Sequence, residues 1–478
     1  MSCLTSTCPE IDGNAFAGML SNAYYPAAER ATANTLARAG SQVMWDTGRT
    51  SARSSGRTFA GRCSKSFTSS KGREVGTMIR QGTTLSDCED AASLNGYTAA
   101  VSLHAHTGWS KEGMKDVSRY FDRIPVVSGF VRRELDDYAR RNHEVVDFTR
   151  AWWHPPVGAT SVLESETSQI VNRLGLAPIV SITDHDTIDA CLELREGQVN
   201  SPLPISCEWT VPFHEGFFHV GVHNLPPRHA RAIFARLSAL THDPHPVELS
   251  RLLNALNEEP EVLVVLNHPL WDLAHVGAAN HVRLVRRFLA EHGEAIHALE
   301  LNGYRSWREN TGVQELQREC ALPLISGGDR HGCAPNALLN LSMASSFGGF
   351  AREIREHTSH VVVMPEYRTS LVARKLVTAT DAMHRHPGYA GRERWTDRVW
   401  YEDNGVAQPL SAEWPDGGPL WVRAAMTAFL IAASPLLRSL LQVFVWCAGA
   451  SRSHDPGPAA HVGVLQATTA ARSPQEAV

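Results

Sequence analysis

Seven short apolar runs, each followed by residue types that bind metals, constrain the fold of this chain more than any other feature. The runs cover residues 97–103, 177–183, 203–207, 216–218, 262–266, 296–299 and 322–328. They are rich in Val, Ile, Leu and Phe, which is typical of buried strands in a mostly parallel sheet. The sequence therefore predicts an α/β protein built on such a sheet.

The residues that close these runs are mostly His, Asp and Glu. They are His104 and His106, then Asp184, His185 and Asp186, then Glu208, His219, Asn267, His268, Glu300, Asp329, Arg330 and His331. In α/β barrels the active site forms on the loops that follow the strands, so these side chains are expected to meet in space. One such cluster alone is more often structural, since Asp also caps helices well. Seven clusters in the same position indicate a multinuclear metal site.

The residue types also narrow the choice of metal. His104 and His106 occupy alternate positions of a strand and therefore point to one face. A site dominated by imidazole with a few carboxylates suits Zn, Mn or Fe better than Mg, which prefers oxygen ligands. Two neighbouring divalent ions can activate a water molecule and hold both oxygens of an in-line displacement. The pattern predicts a multinuclear metalloenzyme.

These motifs resemble the PHP superfamily, named for polymerase-associated and histidinol-phosphatase domains. The matching segments are LHAHT at 103–107, ITDHDT at 182–187, ISCEWT at 205–210, FHVG at 218–221, NHP at 267–269, LELNG at 299–303 and GGDRHG at 327–332. They occur in the family's order and extend over roughly residues 95–375. The resemblance implies a distorted (β/α)7 barrel, up to three divalent metals and hydrolysis of phosphate esters.

The resemblance also implies a ligand set. One metal would take His104, His106, Glu208 and Asp329; a second would share Glu208 and add His219 and His268; a third would use His185 and His331. The family places an Asp of a Ser-Asp-Gly triplet near the third metal, whereas this chain has Glu112, one position later. Asp184 and Asp186 are expected beside the ligands, where they would orient His185.

Other residues near these motifs are candidates for substrate contact. Arg330 and Arg305 could pair with a phosphate in a fork-like geometry, although salt bridges are the alternative. Glu300 could touch the substrate or accept a hydrogen bond from a ligand His. His223 could contact the substrate or be a core histidine, and Trp271 could stack on a ring or pack in the core.

Composition limits the partners and the compartment. The 478 residues carry a net charge of −5, which argues against broad nucleic-acid affinity because phosphate attraction requires a positive field. Nine cysteines without a CxxC pair fit a reducing compartment better than a disulfide framework, so a cytoplasmic location is expected. The resemblance to the PHP superfamily implies a small phosphoester as the partner, with an oligonucleotide as the alternative.

The sequence predicts three regions. Residues 1–94 form a low-complexity extension that is expected to be disordered, and their composition also suggests translation from Met78. Residues 95–375 form the metallo-hydrolase domain, with an insert at about 112–165 that is either a lid or a structural addition. Residues 376–478 form a C-terminal extension with a loop-like stretch at 395–419 and a tail from Ser451.

Within that extension, residues 420–445 are strongly apolar but are interrupted by Arg423, Pro435 and Arg438. A transmembrane helix needs about twenty nearly uncharged apolar residues. A buried or interfacial helix, which could mediate oligomer contacts, is therefore expected instead of a membrane span.

Three functions fit these observations. The first is hydrolysis of a small phosphomonoester or nucleotide by a metal-activated hydroxide. The second is 5′-to-3′ exonuclease activity on short oligonucleotides, which would release mononucleotides processively. The third is a non-catalytic module that keeps metals for stability or partner binding.

Overall fold

A computed structural model describes residues 82–114, 125–142, 145, 147–196, 202–369, 371–383, 389, 391–392, 394–403 and 405–432. Its strands are β1 (Gly82–Asp87), β2 (Ala99–Ser102), β3 (Glu112–Gly113), β4 (Ala151–Trp153), β5 (Ala177–Val180), β6 (Cys207–Phe213), β7 (Gly216–His223), β8 (Leu263–Leu266), β9 (Ala298–Asn302), β10 (Leu324–Gly327), β11 (Leu338–Ser342), β12 (Thr358–Val363), β13 (Val399–Asp403) and β14 (Val406–Pro409). Its α-helices are α1 (Pro125–Asn142), α2 (Ala159–Leu174), α3 (Asp189–Arg195), α4 (Ala230–His242), α5 (Pro246–Glu258), α6 (Ala278–His292), α7 (Trp307–Cys320), α8 (Phe347–Arg355), α9 (Leu371–Met383), α10 (Leu410–Glu413) and α11 (Leu420–Ala432).

The first sheet has five strands in the order β1-β12-β11-β2-β5. The pairs β1–β12 and β2–β5 are parallel, and β11 is antiparallel to both of its neighbours. Residues 82–87, which the sequence analysis placed in the N-terminal extension, form the edge strand β1. The part of that extension before residue 82, including Met78, lies outside the described residues.

The second sheet has the order β10-β9-β8-β7-β6. Its β8, β9 and β10 are parallel, but β6 and β7 form an antiparallel hairpin and β7 is also antiparallel to β8. The expectation of a strand at 203–207 is wrong, because strand pairing begins only at Cys207. Residues 203–206 are buried and mostly apolar, yet Pro204 lacks the N–H that a central strand must donate.

Backbone hydrogen bonds connect the two sheets where their strands end. At one edge the N–H of Glu208 donates to Asp184 O (3.1 Å), and at the other the N–H of His106 donates to Arg330 O (2.8 Å). These contacts are isolated bridges between the sheets instead of continuous ladders. The predicted α/β class is confirmed, and closure into a seven-stranded barrel stays a prediction.

The third sheet has the order β14-β13-β4-β3 and is antiparallel throughout. We call it the cap sheet. Its β3 and β4 come from the insert, while β13 and β14 come from residues 399–409, which were predicted to be loop-like. That prediction is wrong because Val399 pairs with Trp153 and Tyr401 pairs with Ala151, partners that are distant in sequence.

Helices cover the sheets through apolar faces. In α5, Leu249, Leu252, Leu253 and Leu256 recur at helical spacing and are all buried, and Pro246 occupies the first turn, where its missing N–H is tolerated. The main core joins the helices to β6, β7, β8 and β9, and a separate small core lies under the cap sheet.

None of the helices in the described ranges is both long and apolar enough to cross a membrane. Helix α11 covers the start of the apolar segment predicted at 420–445. The remainder of that segment and the tail from Ser451 lie outside the described residues.

Candidate metal centre

Strands of all three sheets, and the loops that follow them, bring nine buried metal-binding side chains together. Their ligand atoms form overlapping groups, and the atoms of each group lie within 4.8 Å of one another. The groups are His104, His106 and Asp329; His104, Glu208 and His268; His185, Glu208 and His219; and His106, Glu112, His185 and His331. All nine predicted ligands therefore meet at one place, although they span residues 104 to 331.

Glu208, the second residue of β6, belongs to two of these groups. Its Oε2 is 3.0 Å from His104 Nε2 and 3.2 Å from His185 Nδ1. Its Oε1 is 3.2 Å from His219 Nδ1 and 3.1 Å from His268 Nε2. Oε2 is also 3.4 Å from His106 Nε2. With two or three imidazoles facing each of its oxygens, Glu208 has the placement of a bridging carboxylate.

Glu112 forms a second centre and comes from a different part of the fold. It is the first residue of β3 in the cap sheet, and its Oε2 is 3.4 Å from His331 Nε2 and 3.5 Å from His185 Nε2. His185 therefore faces Glu208 with one ring nitrogen and Glu112 with the other. The structure places Glu112 where the sequence analysis expected a ligand of a third metal.

Hydrogen bonds from neighbouring groups orient several of these imidazoles. His104 Nδ1 lies 2.5 Å from Glu300 Oε1, so an N–H at Nδ1 donates to the carboxylate and Nε2 is left as the ligand atom. His331 is oriented in the same way by the backbone carbonyl of Asp329 (3.0 Å). Such partners fix the tautomer of a metal-binding imidazole and raise its basicity.

The backbone at the strand ends adopts an unusual conformation. His104, His268 and Asp329 have φ values of 63°, 28° and 52°, in the left-handed region that L-residues rarely adopt. Gly327, next to them, has no room for a side chain, because an added Cβ would overlap the Glu300 carboxylate. Strain of this kind, about 1–3 kcal/mol per residue, is typical of functional sites.

The carboxylates of the centre are held in the ionised form. Burial alone would raise the pKa of Glu208, but the nearby imidazoles of His104, His219 and His185 lower it by more. The resulting pKa of Glu208 lies well below its usual range. The same balance lowers the pKa of Glu112 and of Asp329. Three carboxylates facing one small volume suit divalent cations, and because protons compete for the same imidazole nitrogens, metal binding is expected to weaken as pH falls.

Unsatisfied polar atoms support the same conclusion. Nε2 of His104, His106 and His331 and Oε2 of Glu112 and Glu208 are buried and have no well-aligned hydrogen-bond partner. Buried polar groups without a partner cost free energy, so such a concentration of them needs an explanation. Divalent cations would coordinate these atoms, and the residues present therefore fit a metal centre.

Asp184 and Asp186 lie beside the centre and hold its loops. Asp184 accepts hydrogen bonds from Thr107 N (2.5 Å) and Thr107 Oγ1 (2.8 Å), and Asp186 accepts one from Thr210 N (2.8 Å). Burial raises the pKa of Asp184 to about 7 despite the bonds from Thr107. Both residues are placed to position the segments that carry His106, His185 and Glu208.

Two of the predicted substrate contacts are placed elsewhere by the structure. The Arg330 guanidinium is buried against Glu166, to which it donates a hydrogen bond, and it also bonds Ser165 Oγ (3.2 Å). His223 is buried with Nδ1 2.8 Å from Ser181 Oγ, and burial lowers its pKa to about 3. The expectation of phosphate or substrate contact by these two side chains is not supported, because their polar atoms bond within the core.

The other predicted contacts lie next to the ligands. Trp271 has its ring centroid 5.0 Å from that of His268, and Arg305 stacks over the Trp271 ring at 4.2 Å while pairing with Glu309. Glu300 bonds His104, as one of the two alternatives expected. Trp271 and Arg305 thus form one wall beside the centre.

Sequence reasoning missed several residues of the site. Ser110 Oγ donates to Glu112 Oε1 (2.7 Å) and accepts from His185 N (3.2 Å), which ties the two together. Asn302 Nδ2 bonds Glu300 Oε2 (3.0 Å) and Asp329 Oδ2 (3.2 Å). The position of Asn302 two residues after Glu300 on one strand was a usable signal, whereas a serine in a loop gives none.

No family model matches this sequence, and no curated protein matches it. Among solved structures it is similar to an amidohydrolase from Chromobacterium violaceum with bound sulfate and no metal (16% identity, 37% of this chain, 84% of that chain, TM-score 0.26). A second is PsfC from Pseudomonas syringae PB-5123 (15% identity, 58% of this chain, 96% of that chain, TM-score 0.31). A third is a "putative metal-dependent phosphoesterase" from Bifidobacterium adolescentis (16% identity, 38% of this chain, 85% of that chain, TM-score 0.24). Similarity at these TM-scores is too low to support an argument about fold or chemistry.

Proposed function

We propose that this protein is a metal-dependent hydrolase of phosphate esters, with a small phosphomonoester or a nucleotide as substrate. The observation that carries the proposal is the convergence of six imidazoles and three carboxylates, all buried, with ligand atoms within 4.8 Å in each group. A cluster of this size has no structural need of its own. It is the donor set that two or three Mn, Zn or Fe ions would require.

The phosphoester part of the proposal rests on the order of the motifs, which resembles that of the PHP superfamily. The same resemblance leads us to propose the distorted (β/α)7 barrel as the underlying architecture. The isolated bridges Ala105–Arg330 and His185–Glu208 link the segments that follow β2 and β5 in the first sheet to the end of β10 and the start of β6 in the second. Both bridges are compatible with that architecture.

The chain's own residues have distinct tasks in this proposal. Glu208 would hold metals through both carboxylate oxygens, and Glu112 would hold one together with His331. Divalent ions bound there would lower the pKa of a coordinated water and neutralise charge on the phosphoryl oxygens. Glu300 keeps Nε2 of His104 directed at the centre, and Asp184 keeps the segment with His106 in place through Thr107.

The experiment is metal-dependent phosphate release from a panel of phosphomonoesters, nucleotides and 5′-phosphorylated oligonucleotides. His331→Ala is the test variant, and His245→Ala, which removes an exposed imidazole at the start of α5, is the matched control. Turnover that requires added Mn²⁺ or Zn²⁺, is lost in His331→Ala and persists in His245→Ala supports the proposal. Metal-loaded protein that hydrolyses no member of the panel contradicts it, and release of successive mononucleotides would select the exonuclease alternative.

A further inference from the structure

Lys375 is a buried lysine beside the metal centre. It lies on α9, and the residue is 4% exposed. Its Nζ is 5.5 Å from the centroid of the Tyr304 ring and 6.0 Å from that of the Trp271 ring. Since the sequence around Lys375 carries no recognisable motif, sequence analysis did not single it out.

The two rings place Lys375 relative to the candidate ligands. The Tyr304 ring centroid is 6.1 Å from that of His331, and the Trp271 ring centroid is 5.0 Å from that of His268. His331 belongs to the Glu112 group, and His268 belongs to a Glu208 group. A single aromatic side chain therefore lies between Lys375 and a candidate metal ligand of each group: Tyr304 towards His331, and Trp271 towards His268.

Within the described residues, Lys375 forms no hydrogen bond and no ion pair. The nearby Glu309 is already engaged, because both of its oxygens accept hydrogen bonds from Arg305 at 2.8 Å. Burial lowers the pKa of Lys375 to about 7, and the positive charge of Arg305 lowers it too. Cation–π contacts return less free energy than the burial of an ammonium costs, so this lysine lacks an anionic partner.

We propose that Lys375 binds the phosphate group of the substrate and favours phosphomonoesters over phosphodiesters. The inference rests on the proposed function. A phosphomonoester carries up to two negative charges near pH 7, whereas a diester carries one, so an additional buried cation favours the monoester. Trp271, which lies beside Lys375 and has Arg305 stacked on it, would contact the remainder of the substrate.

The test uses the metal-loaded protein and compares Lys375→Met, Lys375→Arg and the control Arg286→Gln. Arg286 pairs with Glu319 on the surface, with a side chain 55% exposed, so the control removes one positive charge that is exposed and already paired. Inorganic phosphate is titrated calorimetrically, and kcat/KM is measured with p-nitrophenyl phosphate and bis(p-nitrophenyl) phosphate. Metal content and Tm are measured for each variant.

Lys375→Met is expected to weaken phosphate binding about 10- to 100-fold, the size of a lost charge-assisted hydrogen bond, and to lower kcat/KM similarly for the monoester. The diester should change by much less, Lys375→Arg should recover part of the loss, and Arg286→Gln should match the wild type. Metal content should be unchanged, and Tm should be equal or higher because a buried charge has been removed.

The failures of the two proposals are distinguishable. Wild-type hydrolysis of the panel with equal phosphate affinity in Lys375→Met overturns the role of Lys375 and leaves the proposed function intact. A lower Tm in Lys375→Met with unchanged phosphate affinity assigns Lys375 to structure and likewise overturns the inference. Wild-type protein that binds no phosphate overturns the inference by itself, and absence of panel hydrolysis is what overturns the proposed function.

Discussion

Two of the three carboxylates in the candidate metal centre, Glu208 and Glu112, are positioned by different parts of the fold. Glu208 lies in β6, within a five-stranded sheet whose neighbouring strands supply His219 and lead directly to His268. Glu112 lies in a two-residue strand of the cap sheet, which is held in place by β4 and, through it, by β13 of the C-terminal extension. Glu208 therefore belongs to one of the two main sheets, whereas the cap sheet places Glu112 next to them.

This difference indicates that the Glu208 groups depend only on the two main sheets, whereas the Glu112 group also depends on the cap sheet. The contacts of Glu208 with His104, His219 and His268 require only the two main sheets. The contact of Glu112 with His331 also requires the pairing of Glu112 with Trp153 and of Trp153 with Val399. A perturbation of the C-terminal extension should therefore reach the Glu112 group before it reaches the Glu208 groups.

The largest effect is expected for Glu208→Gln. The variant keeps the size of the side chain but removes the charge that faces five imidazoles. Loss of several kcal/mol of charge stabilisation corresponds to a decrease in kcat/KM of about 1,000-fold. Steady-state kinetics with the preferred phosphomonoester measures it, with Glu258→Gln at the exposed end of α5 as control. Activity within a few-fold of the wild type would remove Glu208 from the centre.

A smaller effect is expected for Glu112→Gln. Only the group with His106, His185 and His331 loses its carboxylate, so kcat/KM should fall by about 10- to 100-fold while the Glu208 groups keep their metal. Metal-binding calorimetry should show the loss of one class of site. A loss as large as that of Glu208→Gln would mean that the centre acts as one indivisible unit, contrary to the comparison.

The comparison can also be tested at a distance with Val399→Asp. Val399 is 1% exposed in the core of the cap sheet, and a buried unpaired carboxylate there costs about 3 kcal/mol or more. We expect kcat/KM to decrease about tenfold through displacement of Glu112, with the Glu208 groups still able to bind metal. The control is Val406→Asp on β14, where the side chain is 62% exposed. Equal behaviour of the two variants would separate the cap sheet from the metal centre.

The smallest effect is the pH dependence of the free energy of unfolding that His297 contributes. It separates acid-induced unfolding of the main sheets from loss of metal at low pH. His297 accepts a hydrogen bond from Val264 N and lies 2.9 Å from Asn257 Oδ1, and burial together with Arg355 lowers its pKa to about 3. Because its pKa in the unfolded chain is 6.5, protons bind the unfolded state preferentially as pH falls below that value. Stability from His297 is therefore present above pH 6.5 and is lost as pH decreases towards 3.

Denaturant unfolding of the metal-free protein measures this effect. Between pH 6.5 and about pH 5, wild type should lose roughly 2 kcal/mol more stability than His297→Gln, which cannot titrate. The difference in stability between the two proteins should accordingly shrink on acidification. A difference that is constant with pH would show that His297 is not held neutral by the fold.

The part of the centre on the main sheets was largely predictable from the sequence. Ligand types follow directly after buried strands such as β2, β5, β8 and β10, and the ends of such strands converge. The start of β6 was harder to predict from the sequence. Glu208 lies near the beginning of β6 instead of after a strand, because residues 203–206 contain Pro204 and do not pair. Local composition does not distinguish a buried extended segment from a paired strand.

The cap sheet could not be predicted because its strands are short and their partners are remote. Glu112 and Gly113 form a strand only against Trp152 and Trp153, which in turn need β13. The proximity of Lys375 to Trp271 and Tyr304 likewise arises from the packing of α9, and no spacing in the sequence encodes it. Residues of this kind become visible only when the tertiary structure is known.

The most direct test of the account is the metal content of the purified chain after removal of metals and reconstitution with Mn²⁺ or Zn²⁺, measured by mass spectrometry of the metals. Wild-type protein is expected to hold two or three equivalents per chain, and Glu208→Gln and Glu112→Gln are both expected to hold fewer, with Glu208→Gln the more depleted. Less than one equivalent in folded wild-type protein, or identical content in all three proteins, would contradict it.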